Sequence, residues 1–175
     1  MAALRIFTLL FVAALAGCAG YGGAGLVPGQ ASADDVLRTM GVPAMQWTSA
    51  DGSRQFAYPR GPMGVHTHMV FIGADGRLER IDNVLDEDDF ARIRPGMTQD
   101  EVQRVIGPPW PGWTVYFKAR DELVWEWRYC DAWAQYARFD VLFDATAGTV
   151  RSTLSQREAQ TGQCGGPWGG CWCGR

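Results

Sequence analysis

Two stretches of the chain repeat apolar residues with the period of a helix, and each carries its own start and stop signals. In residues 93–109, Val102, Val105 and Ile106 fall at i, i+3 and i+4, while Asp100, Glu101, Gln103 and Arg104 fill the opposite side. Thr98 and Glu101 have capping-box spacing, Gly107 supplies a left-handed stop, and Pro108 and Pro109 forbid continuation. Residues 29–43 carry the same signals, with Ser32 and Asp35 as box, Val36, Leu37 and Met40 as stripe, and Gly41 then Pro43 as stop. Val36, Gly41 and Pro43 stand 66 positions before Val102, Gly107 and Pro109, and Phe71 stands 72 before Phe143. A unit of this length used twice is a supersecondary repeat and not a solenoid, which needs three or more copies.

Between and after the helices the period drops to two. Residues 44–48 and 54–58 read as strands around Asp51-Gly52, a hairpin signal. Residues 65–72 follow with Val65, Met69 and Phe71 on one face and His66, His68, Val70 and Ile72 on the other, the latter read as solvated. Asp75-Gly76 turns the chain into a strand over 77–84, and 86–93 reads as a short acidic helix with Phe90 and Ile93 inward. The second unit predicts strands over 113–117, 123–130, 136–144 and 149–154, with 118–122 a charged turn. Leu123, Trp125, Trp127 and Tyr129 share one face with Glu126 and Arg128 opposite, and Phe139, Val141 and Phe143 point inward. From Ser155 the periodicity stops, and residues 162–175 hold six Gly beside Cys164, Trp168, Cys171, Trp172 and Cys173. That tail is expected to be irregular or tied down only by a disulfide.

The expected class is therefore α+β, with two tandem units of short helices packed on an antiparallel three- to four-stranded sheet. The first unit spans 27–85, the second 86–155, and 156–175 is a Gly/Trp/Cys-rich tail. Before them, Arg5 and the apolar run 6–15 lead to Leu15-Ala16-Gly17-Cys18. Ten positions cannot cross a bilayer core that needs ~20, so 1–17 reads as a signal peptide and 18–26, with four Gly after Cys18, as a tether reaching ~15 Å. Two units of this size bury too little surface to be comfortable alone, and one cooperative domain is expected.

Composition narrows the function. A formal net charge of -3 with interspersed signs gives no footprint for nucleic acid. His66 and His68 are the only imidazoles, and no nucleophile is paired with a base, so no catalytic, metal or cofactor site is expected. Setting Cys18 aside leaves Cys130, Cys164, Cys171 and Cys173, an even number suited to an oxidising compartment. A bridge from the tail to Cys130 fits the strand reading, and all three connectivities remain open.

Residues 85–90 (Leu-Asp-Glu-Asp-Asp-Phe), 93–102 (Ile-Arg-Pro-Gly-Met-Thr-Gln-Asp-Glu-Val) and 107–109 resemble the SmpA/OmlA (BamE-like) outer-membrane lipoproteins over roughly 60 residues of the second unit. The tandem arrangement is similar to that of β-lactamase inhibitor proteins. The ending at Cys18 resembles a lipobox. These resemblances imply Cys18 as the acylated first residue, Ala19 after it as a signal for the outer membrane, and a lipid-anchored domain on the periplasmic face. They imply work by protein binding, in support of outer-membrane β-barrel assembly or envelope integrity through docking on an assembly subunit or another envelope protein. The alternative is a tandem-repeat inhibitor of a periplasmic enzyme. Two units in place of one, and the Cys/Trp tail, depart from the family pattern.

The partner-binding surface is expected among surplus aromatics. Trp125, Trp127, Tyr129 and Phe139 already supply a core, leaving Trp110 and Trp113 in a Pro-rich loop, Tyr116, and Trp133 in the connection after Cys130.

Overall fold

The structure is a computed structural model, and it describes residues 22–61, 63–164 and 170–173. The signal peptide and residues 18–21 of the tether, Cys18 among them, lie outside the described residues. Helix α1 (Ala33–Met40) leads into strands β1 (Met45–Thr48), β2 (Arg54–Pro59), β3 (Thr67–Ile72) and β4 (Leu78–Asn83). The second half runs α2 (Glu87–Phe90), α3 (Gln99–Ile106), β5 (Val115–Phe117), β6 (Glu122–Cys130), β7 (Tyr136–Asp144), β8 (Thr149–Arg157) and α4 (Glu158–Thr161). The strands form two separate antiparallel four-stranded sheets, each in sequence order. No helix among the described residues is long and apolar enough to cross a membrane.

Both long helices start on a complete capping box. The Asp35 N–H donates to Ser32 Oγ at 3.2 Å and the Ser32 N–H to Asp35 Oδ2 at 2.8 Å; Thr98 and Glu101 repeat the pair at 3.3 and 2.7 Å. The chain also enters the helices in the same way. The Gly29 N–H donates to Leu78 O and the Gly96 N–H to Val150 O, while Ser32 bridges Arg77 and Thr98 bridges Thr149. Ser32 and Thr98 stand 66 positions apart, and Arg77 with Thr149 and Leu78 with Val150 stand 72 apart, so these contacts recur at the offsets seen in the sequence.

Val36 and Met40 of α1 pack with Phe56, Tyr58, Val70 and Ile72, so the face of β3 read as solvated is covered. Helix α3 meets both sheets. Its Val102 and Ile106 join Trp125, Trp127, Phe139 and Phe143 in the larger core. Its other side touches the first sheet: Trp47 Nε1 donates to Asp100 Oδ1 at 2.9 Å and Gln55 Nε2 to Arg104 O at 2.6 Å. At Gly107, φ is 76° and a Cβ would lie 2.7 Å from Thr67 Cγ2, so this helix stop needs glycine for backbone and for contact.

Three further expectations are corrected. The strand expected over 113–117 begins only at Val115, because Pro111–Trp113 closes a 3-10 turn that Pro111 starts. The strand expected to stop at Leu154 continues to Arg157, because Ser155 and Gln156 pair with Phe139 and Arg138 whatever their polarity. The tail is not bound by a disulfide alone. Cys130–Cys173 and Cys164–Cys171 are bridged, the Tyr136 N–H donates to Cys171 O, and the Cys173 N–H donates to Ala134 O.

Candidate functional site

A cleft lies where the two halves meet beside β6. Strand β5 has three residues, pairing Val115 with Val124 and stopping there. Tyr136, opposite Cys130, gives its N–H to the tail and so points away from β6. By antiparallel alternation, Ala137 and Phe139 then hydrogen-bond to Tyr129 and Trp127, and Glu126 and Arg128 turn their backbone groups toward the side β5 has left. Among the described residues no backbone group bonds them from that side. Strand β6 therefore keeps an open edge inside a cleft between the two halves.

That cleft has a volume of about 370 Å³. Its second-half wall is Pro108, Pro109, Trp110, Pro111 and Trp113; its first-half wall is Met45, Pro59, Arg60, Gly61, Gly64 and His66; Glu126, Trp127 and Arg128 line its floor. Trp110 is 43% exposed beside three prolines that stiffen its loop. Trp127 is buried, and its Nε1 has no hydrogen-bond partner. A donor left unpaired in a buried position costs about 1–3 kcal/mol.

A buried charge network holds the floor and the aromatic wall in place. Arg128 forks onto Glu158 through Nε to Oε1 at 2.6 Å and Nη2 to Oε2 at 2.8 Å, and its Nη1 donates to Met63 O at 3.1 Å. Arg138 donates to Glu158 Oε1 at 2.6 Å and to Glu126 Oε1 at 2.5 Å. The Trp113 ring lies 4.1 Å from the Arg138 guanidinium, so this wall residue is fixed by a cation–π contact. The network thus links the first-half loop, the sheet and the C-terminal helix. Burial would push the Glu158 carboxyl up, but the hydrogen bonds from Arg128 and Arg138 outweigh it and hold it low.

Asp140 is shifted the other way. It stands directly across from Glu126 in the sheet, with Oδ1 buried and unpartnered. Burial and the Glu126 charge push it up to about 6, against the pull of Arg138. The folded chain therefore binds this proton more tightly than the unfolded chain, and stability should fall as pH rises from 3.8 through about 6. Asp140→Asn should remove that slope and stabilise the protein at pH 7 by ~1 kcal/mol after discounting for solvent screening, or roughly 3 °C in Tm. Thermal melts from pH 3.5 to 7.5 check this, and an unchanged slope in the variant would refute it.

Of the residues expected at a partner surface, Trp110 and Trp113 come together in the cleft, and two do not. Tyr116 lies farther along β5 and donates its hydroxyl to Asp121 Oδ1 at 3.0 Å. Trp133, 70% exposed, sits in the β6–β7 turn beside the tail. Sequence reasoning missed the first-half wall and the charged floor. The Pro- and Gly-rich run 59–64 was the available signal, since it matches in character the loop it faces. His66 and His68 stack at 5.9 Å, and among the described residues no three His, Cys, Asp or Glu side chains cluster as metal ligands. No family model, curated protein or solved structure matches the chain.

Proposed function

We propose that the chain is a lipid-anchored protein of the periplasmic face of the outer membrane, made of two tandem helix-on-sheet units. In this reading it holds an extended, largely apolar segment of an envelope protein in the cleft between them. The observation that carries the binding role is the open β6 edge at Glu126 and Arg128, set between aromatic and proline walls. An extended segment adds to such an edge through its backbone, and pockets beside the edge take its alternate side chains. The sequence ending in Cys18 supports the anchor, and the likeness of the second unit to SmpA/OmlA lipoproteins supports a partner in envelope assembly. The floor, with no nucleophile–base pair, suits binding better than catalysis.

Trp110 is the residue to test, because it is exposed on a stiff loop and contributes nothing to the core clusters. Trp110→Ala should leave Tm within a few degrees and weaken capture of the partner from detergent-solubilised envelope at least tenfold, ~1.4 kcal/mol. Capture read by mass spectrometry also separates the partners: assembly subunits support this reading, whereas a single hydrolase points to inhibition. Undiminished capture by the variant would remove the cleft from the account.

A further inference from the structure

The two sheets have four outer strands, and three of them are blunted. Strands β1 and β5 have four and three residues, too short to template much pairing. Strand β4 carries Glu79, Arg80 and Asp82. Strand β8 has nine residues, and the internal repeat supplies its control: 72 positions after Glu79, Arg80 and Asp82 stand Arg151, Ser152 and Leu154. From Ser152 to Gln156 the edge carries no charge, and Leu154 is exposed.

The direction of its backbone groups follows from the ladder. Because Tyr136 points its N–H away from β6, Arg138, Asp140 and Leu142 also face β8, opposite Gln156, Leu154 and Ser152. Thr153 and Ser155 consequently present N–H and C=O outward, and among the described residues no backbone group meets them. The edge is closed at one end by Gly96 and Met97 on Val150, and at the other by the Arg157 N–H donating to Gln160 Oε1 at 3.4 Å. The open length is five residues, about 17 Å.

We propose that this edge pairs with the same edge of a second copy of the chain, antiparallel and centred on Thr153, joining two four-stranded sheets into one of eight. The strand is self-complementary in that register. Thr153 meets Thr153 of the partner subunit in a hydrogen-bonded pair, Ser152 meets Leu154, and Arg151 meets Ser155. Charge selects the register, since centring one residue later on Leu154 would set Arg151 against Arg157. A two-fold axis perpendicular to the sheet brings the exposed Leu154 side chains onto one shared face. It leaves both β6 clefts open, because β8 is the opposite outer strand of the sheet.

Full-length protein in mild detergent, followed by sedimentation velocity and amide hydrogen exchange across a concentration series, tests the pairing. The contact is small, so a dimer dissociating near ~10 µM is expected. As protein concentration rises, protection should grow at the Thr153 and Ser155 amides, while the Leu154 amide, already bonded to β7, stays protected throughout. Thr153→Lys places two like charges directly opposite and should weaken the dimer at least tenfold, whereas Ala147→Lys in the β7–β8 turn should not. A monomer up to about 100 µM, Thr153 and Ser155 amides that exchange fast at every concentration, or a dimer indifferent to Thr153→Lys would each overturn the proposal.

Discussion

Glu158→Gln should destabilise the protein by about 3–5 kcal/mol, the loss expected when one partner of a buried ion pair is removed and the others stay behind. Glu158 is 1% exposed and accepts from both Arg128 and Arg138, so the substitution leaves two guanidinium groups facing a neutral amide in the sheet. The carboxylate is held low, so its contribution is fully present at neutral pH and is lost only as pH falls below its ordinary value of 4.5. Urea unfolding at pH 7 and at pH 4 should therefore show a larger gap between wild type and variant at pH 7. The double substitution Arg128→Met with Glu158→Leu should recover much of the loss, because apolar packing often replaces a buried pair at little cost. An exposed, water-screened Glu158 would instead give a single-variant loss below ~1 kcal/mol.

Removing the long disulfide should cost nearly as much. Cys130–Cys173 closes a separation of 43 residues, for which the loop-entropy estimate is ~4 kcal/mol; Cys164–Cys171, with a separation of seven, gives about half. Without the long bridge, residues 171–173 are held beside the start of β7, among the described residues, by the backbone bonds of Cys171 and Cys173 to Tyr136 and Ala134 and by the Cys164–Cys171 bridge. Cys130→Ala with Cys173→Ala should lower Tm by roughly 10 °C, and Cys164→Ala with Cys171→Ala by about half that. The tail also packs near Tyr136, whose ring stands 3.8 Å from the Arg128 guanidinium, so its release should loosen the same network that Glu158 closes. Equal Tm values for wild type and both pairs would show that the tail adds nothing to the fold.

What could be read from sequence follows the range of the interactions involved. The two capped helices were legible because every determinant lies within four residues: Ser32 with Asp35, Thr98 with Glu101, and a glycine at each end. Strand β7 was legible at its bounds because Ala137, Phe139, Val141 and Phe143 alternate without interruption. Helix α4 was not, since what fixes it is Glu158 reaching Arg128 and Arg138, 30 and 20 residues away. Glu126 and Arg128 were legible only as the face opposite the aromatic row, because period two cannot tell an open face from one bridged by ions. The cleft was half legible. Its Trp- and Pro-rich wall stands out in composition, but the facing loop and the unpaired stretch of β6 exist only through the way the halves meet and the shortness of β5.

Binding of an envelope protein in this cleft is the central claim, and site-specific photo-crosslinking in intact cells tests it most directly. A photo-reactive residue in place of Trp110 points into the cleft mouth, and the same residue in place of Ala147 lies in the β7–β8 turn outside it. The account predicts a discrete adduct from position 110, identified as one envelope protein in the membrane fraction, that position 147 does not give. The same adducts from both positions, or none from position 110, would contradict it.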